Sequence, residues 1–75
     1  TTFQLIGLFK RSVGLTPHAY LTQVRLGMAC RRLRRQQAPA DVATDVGFYD
    51  QSALNRHFKR CYGITPMQFS RAAAA

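Results

Sequence analysis

The chain has 75 residues, 47% of them hydrophobic, and eleven Lys and Arg against three acidic residues give a formal charge of +8. That length makes one small domain, the apolar fraction argues against disorder, and no apolar run is long enough to span a bilayer. The charge imbalance points to a polyanionic partner, nucleic acid above all. Cys30 and Cys61 have no CxxC spacing and no nearby His pair, so they read as free thiols of a cytoplasmic protein, with no metal or cofactor expected.

In chain order, the first expected helix covers 2–12, with Phe3, Leu5, Leu8 and Phe9 as its apolar stripe. Gly14 suits the left-handed position that ends it. Thr16 then fits an N-cap and Pro17 the first helical position. The second helix covers 17–36, with Tyr20, Leu21, Val24, Met28, Ala29 and Leu33 as its apolar face. Its far end carries Arg31, Arg32, Arg34 and Arg35, either a solvated face or a set of phosphate contacts. Pro39 opens a third helix, 39–46, with Val42, Ala43 and Val46 inward, and Gly47 stops it. Phe48 and Tyr49 cross a short turn. Asp50 caps a fourth helix, 51–61, with Leu54 and Phe58 inward. Gly63 ends that helix, Thr65 caps the next, and Pro66 starts it, with Met67, Phe69 and Arg71 following. Tyr20, Phe48 and Phe69 are assigned to the core. Ala72–Ala75 is set aside as uninformative. No strand pattern appears, so the expected fold is all-α.

One segment occurs twice. FKRSVGLTPHAY at 9–20 and FKRCYGITPMQF at 58–69 share six of twelve residues at an offset of 49. An internal repeat signals one supersecondary unit built twice. Residues 39–61 form helix, Gly-containing turn, helix, the layout of a helix-turn-helix whose second helix enters the major groove. Gln51, Ser52, Asn55 and Arg56 fall on its outer face and are of the types that pair with base edges. Lys59 and Arg60 follow at the helix end, suited to phosphate, as are Lys10 and Arg11 in the upstream copy. The offset maps the reading positions onto Thr2, Phe3, Ile6 and Gly7, a weaker first reader. Its bracing helix would fall before Thr1, so the first unit looks incomplete. A second helix of twenty residues spans roughly 30 Å, close to the roughly 34 Å between successive major-groove segments on one DNA face. His57 and His18 have no nucleophile or acid placed to partner them, so no enzyme activity is expected.

The run VATDVGFYDQSALNRHFKRCYGITPMQF strongly resembles the C-terminal signature of the AraC/XylS family of bacterial transcription regulators. LFKRSVGLTPHAYLTQVRLGMA resembles the first recognition helix and linker helix of the same domain. The resemblance covers nearly the whole chain, from Thr2 to Arg71. It rests on Ala43, Gly47-Phe48, Asp50-Gln51-Ser52, Arg56, Phe58-Lys59, Gly63 and Thr65-Pro66. It implies two helix-turn-helix units joined by a long linker helix, of whose seven helices this chain carries the last five. The expected domain is then 1–71, with 1–14 ending the first unit, 16–37 the linker, 39–62 the second unit and 65–71 the C-terminal helix. The resemblance also implies binding of double-stranded DNA in two adjacent major-groove segments and transcription activation beside RNA polymerase. A separate effector or dimerisation domain, absent from this chain, and a place on the bacterial nucleoid in the cytoplasm are implied as well. Two departures stand out: Gly7 replaces a common Arg, and Arg32 a usual Leu. Gly7 shifts the expected specificity toward the second unit.

Two other classes compete with this reading. One is a cationic binder of membrane surfaces or of polyanions without sequence preference; the Gly and Thr-Pro punctuation and the polar face of 51–60 speak against it. The other is the DNA-binding part of a repair regulator of the alkylation-response type. The four-cysteine zinc cluster of such a protein's thiol module is missing here.

Overall fold

The computed structural model describes residues 15–74, which form four helices and no strand. They are α1 (Pro17–Arg34), α2 (Pro39–Asp45), α3 (Gln51–Tyr62) and α4 (Pro66–Ala74). The expected helix 2–12, its stripe Phe3, Leu5, Leu8 and Phe9, the stop at Gly14 and the first-reader positions all lie outside the described residues.

Local chemistry sets most helix ends. Thr16 Oγ1 accepts from the Ala19 N–H at 3.1 Å, with Pro17 in the first turn. Pro39 opens α2 without a side-chain cap. Asp50 Oδ1 accepts from the Ala53 N–H at 2.8 Å. Gly63, at φ +80°, donates to the Lys59 carbonyl at 2.8 Å and closes α3 in the left-handed conformation glycine favours. At α4 the cap is reciprocal. Thr65 Oγ1 accepts from the Gln68 N–H at 3.1 Å, and Gln68 Oε1 accepts from the Thr65 N–H at 2.9 Å.

The end of α1 departs from expectation. It stops at Arg34 rather than at position 36, because Gln36 takes φ +66°. Positive φ is uncommon for a residue with a Cβ. Here the side chain supports the turn: Gln36 Nε2 donates to the Leu33 carbonyl at 3.3 Å and to the Ser70 carbonyl of α4 at 3.2 Å. Ala72–Ala74 also differ from expectation. They prolong α4, in keeping with the high helix propensity of alanine.

The core is one cluster. Leu26, Ala29 and Leu33 of α1 meet Val42 and Ala43 of α2, Val46 and Phe48 of the following turn, and Leu54 and Phe58 of α3. Phe58 makes edge-on contacts with Tyr62 and with Phe69 of α4, at centroid distances of 4.7 and 5.6 Å. The stripe of α1 is rotated relative to expectation: Leu26 is buried, while Leu21 and Val24 remain 42% and 40% exposed. Tyr20 is half-buried rather than fully in the core, as is Phe69. In α4 the buried positions are Pro66 and Ser70, and Met67 is exposed. Two cations bind helices together. Arg32 Nη1 lies 3.5 Å from Asp45 Oδ2, with Gln37 bridging them through bonds of 3.3 and 2.7 Å. The Arg34 guanidinium sits 5.6 Å over the Phe69 ring. No helix among the described residues is long and apolar enough to cross a membrane.

Candidate nucleic-acid interface

α2, the turn at 46–50 and α3 form the helix-turn-helix anticipated from residues 39–61. The turn is held by the Val46 N–H on the Val42 carbonyl and by the Phe48 N–H on the Ala43 carbonyl, at 3.0 and 2.8 Å. Gly47 sits between them at φ +104°. A Cβ there would be strained at that φ and would stand 2.9 Å from Arg25 Nε of α1, pushing that flexible side chain aside. Phe48 then turns inward and joins the core cluster with Leu54 and Phe58 of α3.

α3 has an apolar inner face and a cationic outer one. Leu54 and Phe58 are fully buried. At 3.6 residues per turn, Ser52, Arg56 and Lys59 centre on the opposite side, and all three are exposed, as are Gln51 and Arg60. Asn55 lies at the flank and is half-buried. Ser52, Arg56, Lys59 and Arg60 thus share the outer side of α3, Asn55 lies on its flank, and Gln51, in the first turn, is exposed but points closer to the Leu54 and Phe58 side. Lys10 and Arg11, and the first-reader residues Thr2, Phe3, Ile6 and Gly7, lie outside the described residues.

The electrostatics favour an anion along this surface. The chain's three acids are Asp41, Asp45 and Asp50. Asp45 pairs with Arg32 and Asp50 caps α3, and among the described residues neither Arg56 nor Lys59 is ion-paired to a carboxylate. His57 stacks on Phe48 with centroids 5.6 Å apart. Desolvation there, followed by the charges of Arg56, Arg60 and His18, holds its imidazole below the usual histidine range. At the far end of α3, desolvation and the neighbouring Cys30 and Cys61 thiols push the Tyr62 hydroxyl up to about 12. Cys30 and Cys61 are free thiols. Among the described residues no group of three His, Cys, Asp or Glu is placed to hold a metal ion.

One surface residue escaped sequence reasoning. Tyr49, between buried Phe48 and the Asp50 cap, is 92% exposed and stands at the entry to α3. The sequence shows two adjacent aromatics in a turn, and only the path of the turn decides which one is buried.

A family model described as a helix-turn-helix domain matches residues 1–72. The chain is 40% identical over 68 residues to a putative AraC-like transcription regulator of Streptomyces antibioticus, covering 89% of this chain and 22% of that protein. The chain belongs to the AraC-type helix-turn-helix family. Other AraC-type relatives include the probable transcriptional regulator LumQ of Photobacterium leiognathi, 37% identical over 67 residues, with 88% of this chain and 27% of that protein covered. The RCS-specific transcriptional activator RclR of Escherichia coli is 36% identical over 63 residues, covering 83% and 22%. The chain spans about a quarter of the length of these curated relatives. No solved structure matches it. Membership of the AraC-type family makes it a DNA-binding transcription-regulator domain.

Proposed function

We propose that this domain recognises a specific double-stranded DNA sequence by laying α3 in the major groove, and that it activates bacterial transcription. The observation that carries the reading is the exposed cationic face of α3, with Arg56 opposite the buried pair Leu54 and Phe58 and in no ion pair among the described residues. Gln51, Ser52, Asn55 and Arg56 contact base edges, Arg56 suiting guanine and the amides adenine. Lys59 and Arg60 hold phosphate, which fixes register without carrying sequence information. Tyr49 rests against the backbone edge where α3 enters.

In this reading Thr2, Phe3, Ile6 and Gly7 form the weaker reading face of an upstream unit, and Lys10 and Arg11 are its phosphate contacts. The matched similarity to a relative named as an activator favours activation as the sign of regulation. RNA polymerase is then a neighbour on the promoter, and an effector or dimerisation domain belongs to the whole protein. The domain acts by binding, without catalysis, on the nucleoid in the bacterial cytoplasm.

The test is selection of bound sequences from a random duplex library, repeated with Arg56→Ala. The wild type should return a defined motif. The variant should lose about 1–3 kcal/mol on it and relax preference at one base pair. A motif unchanged by the substitution would refute base contact by Arg56, and no motif at all would refute sequence-specific recognition.

A further inference from the structure

The outer side of α1 carries a second cationic surface that the DNA-binding face does not use. Met28, Arg31, Arg32 and Arg35 line a recess of about 240 Å³. Arg32 is turned toward Asp45 and Gln37 of the fold. Arg31 and Arg35 are exposed, one helical turn apart, and neither side chain has an ion-pair or hydrogen-bond partner among the described residues. Met28 is half-buried and supplies a deformable apolar floor.

The direction of this recess decides what can fill it. At 3.6 residues per turn, Arg31 and Arg35 fall on the side of α1 opposite Leu26, Ala29 and Leu33. Those three pack in the same cluster as Leu54 and Phe58, so α3 lies against the inner side of α1. A duplex held on the outer face of α3 would lie beyond α3, away from the recess. A second copy of this chain is also a poor occupant. It carries a net charge of +8, and its three acids are confined to α2 and the turn before α3.

We propose that this recess docks an acidic, amphipathic polypeptide segment of a partner protein while the domain is on DNA. Two carboxylates one helical turn apart would pair with Arg31 and Arg35, and an apolar side chain between them would rest on Met28. Paired guanidinium–carboxylate contacts give both strength and orientation.

The test uses the 75-residue chain and a fluorescein-labelled helical peptide with Glu and Leu on one face. A peptide with Gln in place of Glu is the control. Two variants remove the same charge from different surfaces: R31A/R35A from the recess and K59A/R60A from α3. The Glu peptide should bind and the Gln peptide should not. R31A/R35A should weaken the peptide about tenfold, K59A/R60A should weaken duplex DNA instead, and a saturating duplex should leave the peptide bound. Equal weakening of the peptide by both variants would mean undirected charge attraction and would overturn the proposal. Displacement of the peptide by duplex, together with loss of duplex affinity in R31A/R35A, would make the recess a phosphate contact and overturn it as well. Duplex binding is measured separately, so failure of the DNA reading and failure of the recess are distinguishable.

Discussion

α1 and α3 are both basic helices that bury one side in the core, yet they use their cations differently. In α1, Arg25 covers the turn at Gly47, Arg32 pairs with Asp45, and Arg34 lies over Phe69. These three tie the helix to α2, to the turn and to α4. In α3, Arg56, Lys59 and Arg60 make no ion pair with any acid among the described residues. A basic run in sequence thus says little by itself. What distinguishes a structural cation from one available to a ligand is whether the fold brings an acid, a ring or a turn to it.

The contrast can be broken first at the inner face of α3. Phe58→Ala removes a fully buried ring that contacts Tyr62 and Phe69, and should lower stability by about 3–5 kcal/mol, read by urea denaturation. Arg56→Ala, on the outer face of the same helix, should leave the midpoint within about 0.5 kcal/mol of wild type. Similar stability losses in both would contradict the division of α3 into a packing side and a reading side.

The next effect is at the turn. Gly47→Ala places a Cβ at positive φ against Arg25 and should cost about 1–3 kcal/mol. Gly47→Ala combined with Arg25→Ala should recover part of that loss but not all of it. Full recovery would mean that the steric contact alone, not the backbone conformation, restricts this position.

Smaller still is the tie between α1 and α2. Arg32 and Asp45 are each more than two-fifths exposed, so solvent screening holds their coupling below about 1 kcal/mol. A double-mutant cycle with Arg32→Ala and Asp45→Asn should return a positive coupling of that size that shrinks as salt is added. Duplex affinity should change less than with K59A/R60A, which would mark Arg32 as a cation of the fold.

The smallest expected effect is a pH dependence. His57 has its pKa lowered in the fold, so the unfolded chain binds its proton first as pH falls. Its contribution is fully present above the unfolded histidine value, near 6.5, and declines as pH falls from there toward the lower folded value. His57→Gln should flatten that segment of the stability curve. An unchanged pH profile would show that the imidazole does not sense its burial against Phe48 or the neighbouring arginines.

The elements that were legible in the sequence are those fixed by residues close in the chain. Thr16-Pro17, Pro39, Asp50, Gly63 and Thr65-Pro66 each act within a few positions, and each marks the boundary expected of it. Val42, Ala43, Val46, Leu54 and Phe58 were legible because helical spacing gathers them on one face. The rotation of the α1 stripe to Leu26 was not, because Leu21, Val24 and Leu26 fit apolar periodicity about equally well and only the seat of α2 and α3 selects among them. In α3, the exposure of Ser52, Arg56 and Lys59 followed from the same spacing. The half-burial of Asn55, the exposure of Tyr49 and the pairing of Arg32 depend on neighbours distant in sequence. Arg32 is the instructive case: an apparent departure from the AraC pattern acquires a partner, Asp45, thirteen positions away.

Gln36 joins a locally unfavourable backbone to a useful tether. Glycine at this position would relieve the φ constraint but would remove one of the bonds between the end of α1 and α4, leaving Ser70 Oγ on the Leu33 carbonyl and Arg34 over Phe69. Asparagine tolerates the conformation well, yet its amide is one methylene shorter and would have to choose between the Leu33 and Ser70 carbonyls. The residue is therefore selected by two demands that point to different amino acids, and local preference alone would replace it. A substitution that improves the turn in isolation would thus give up a bond between helices, exchanging a gain in backbone comfort for a weaker tie between α1 and α4.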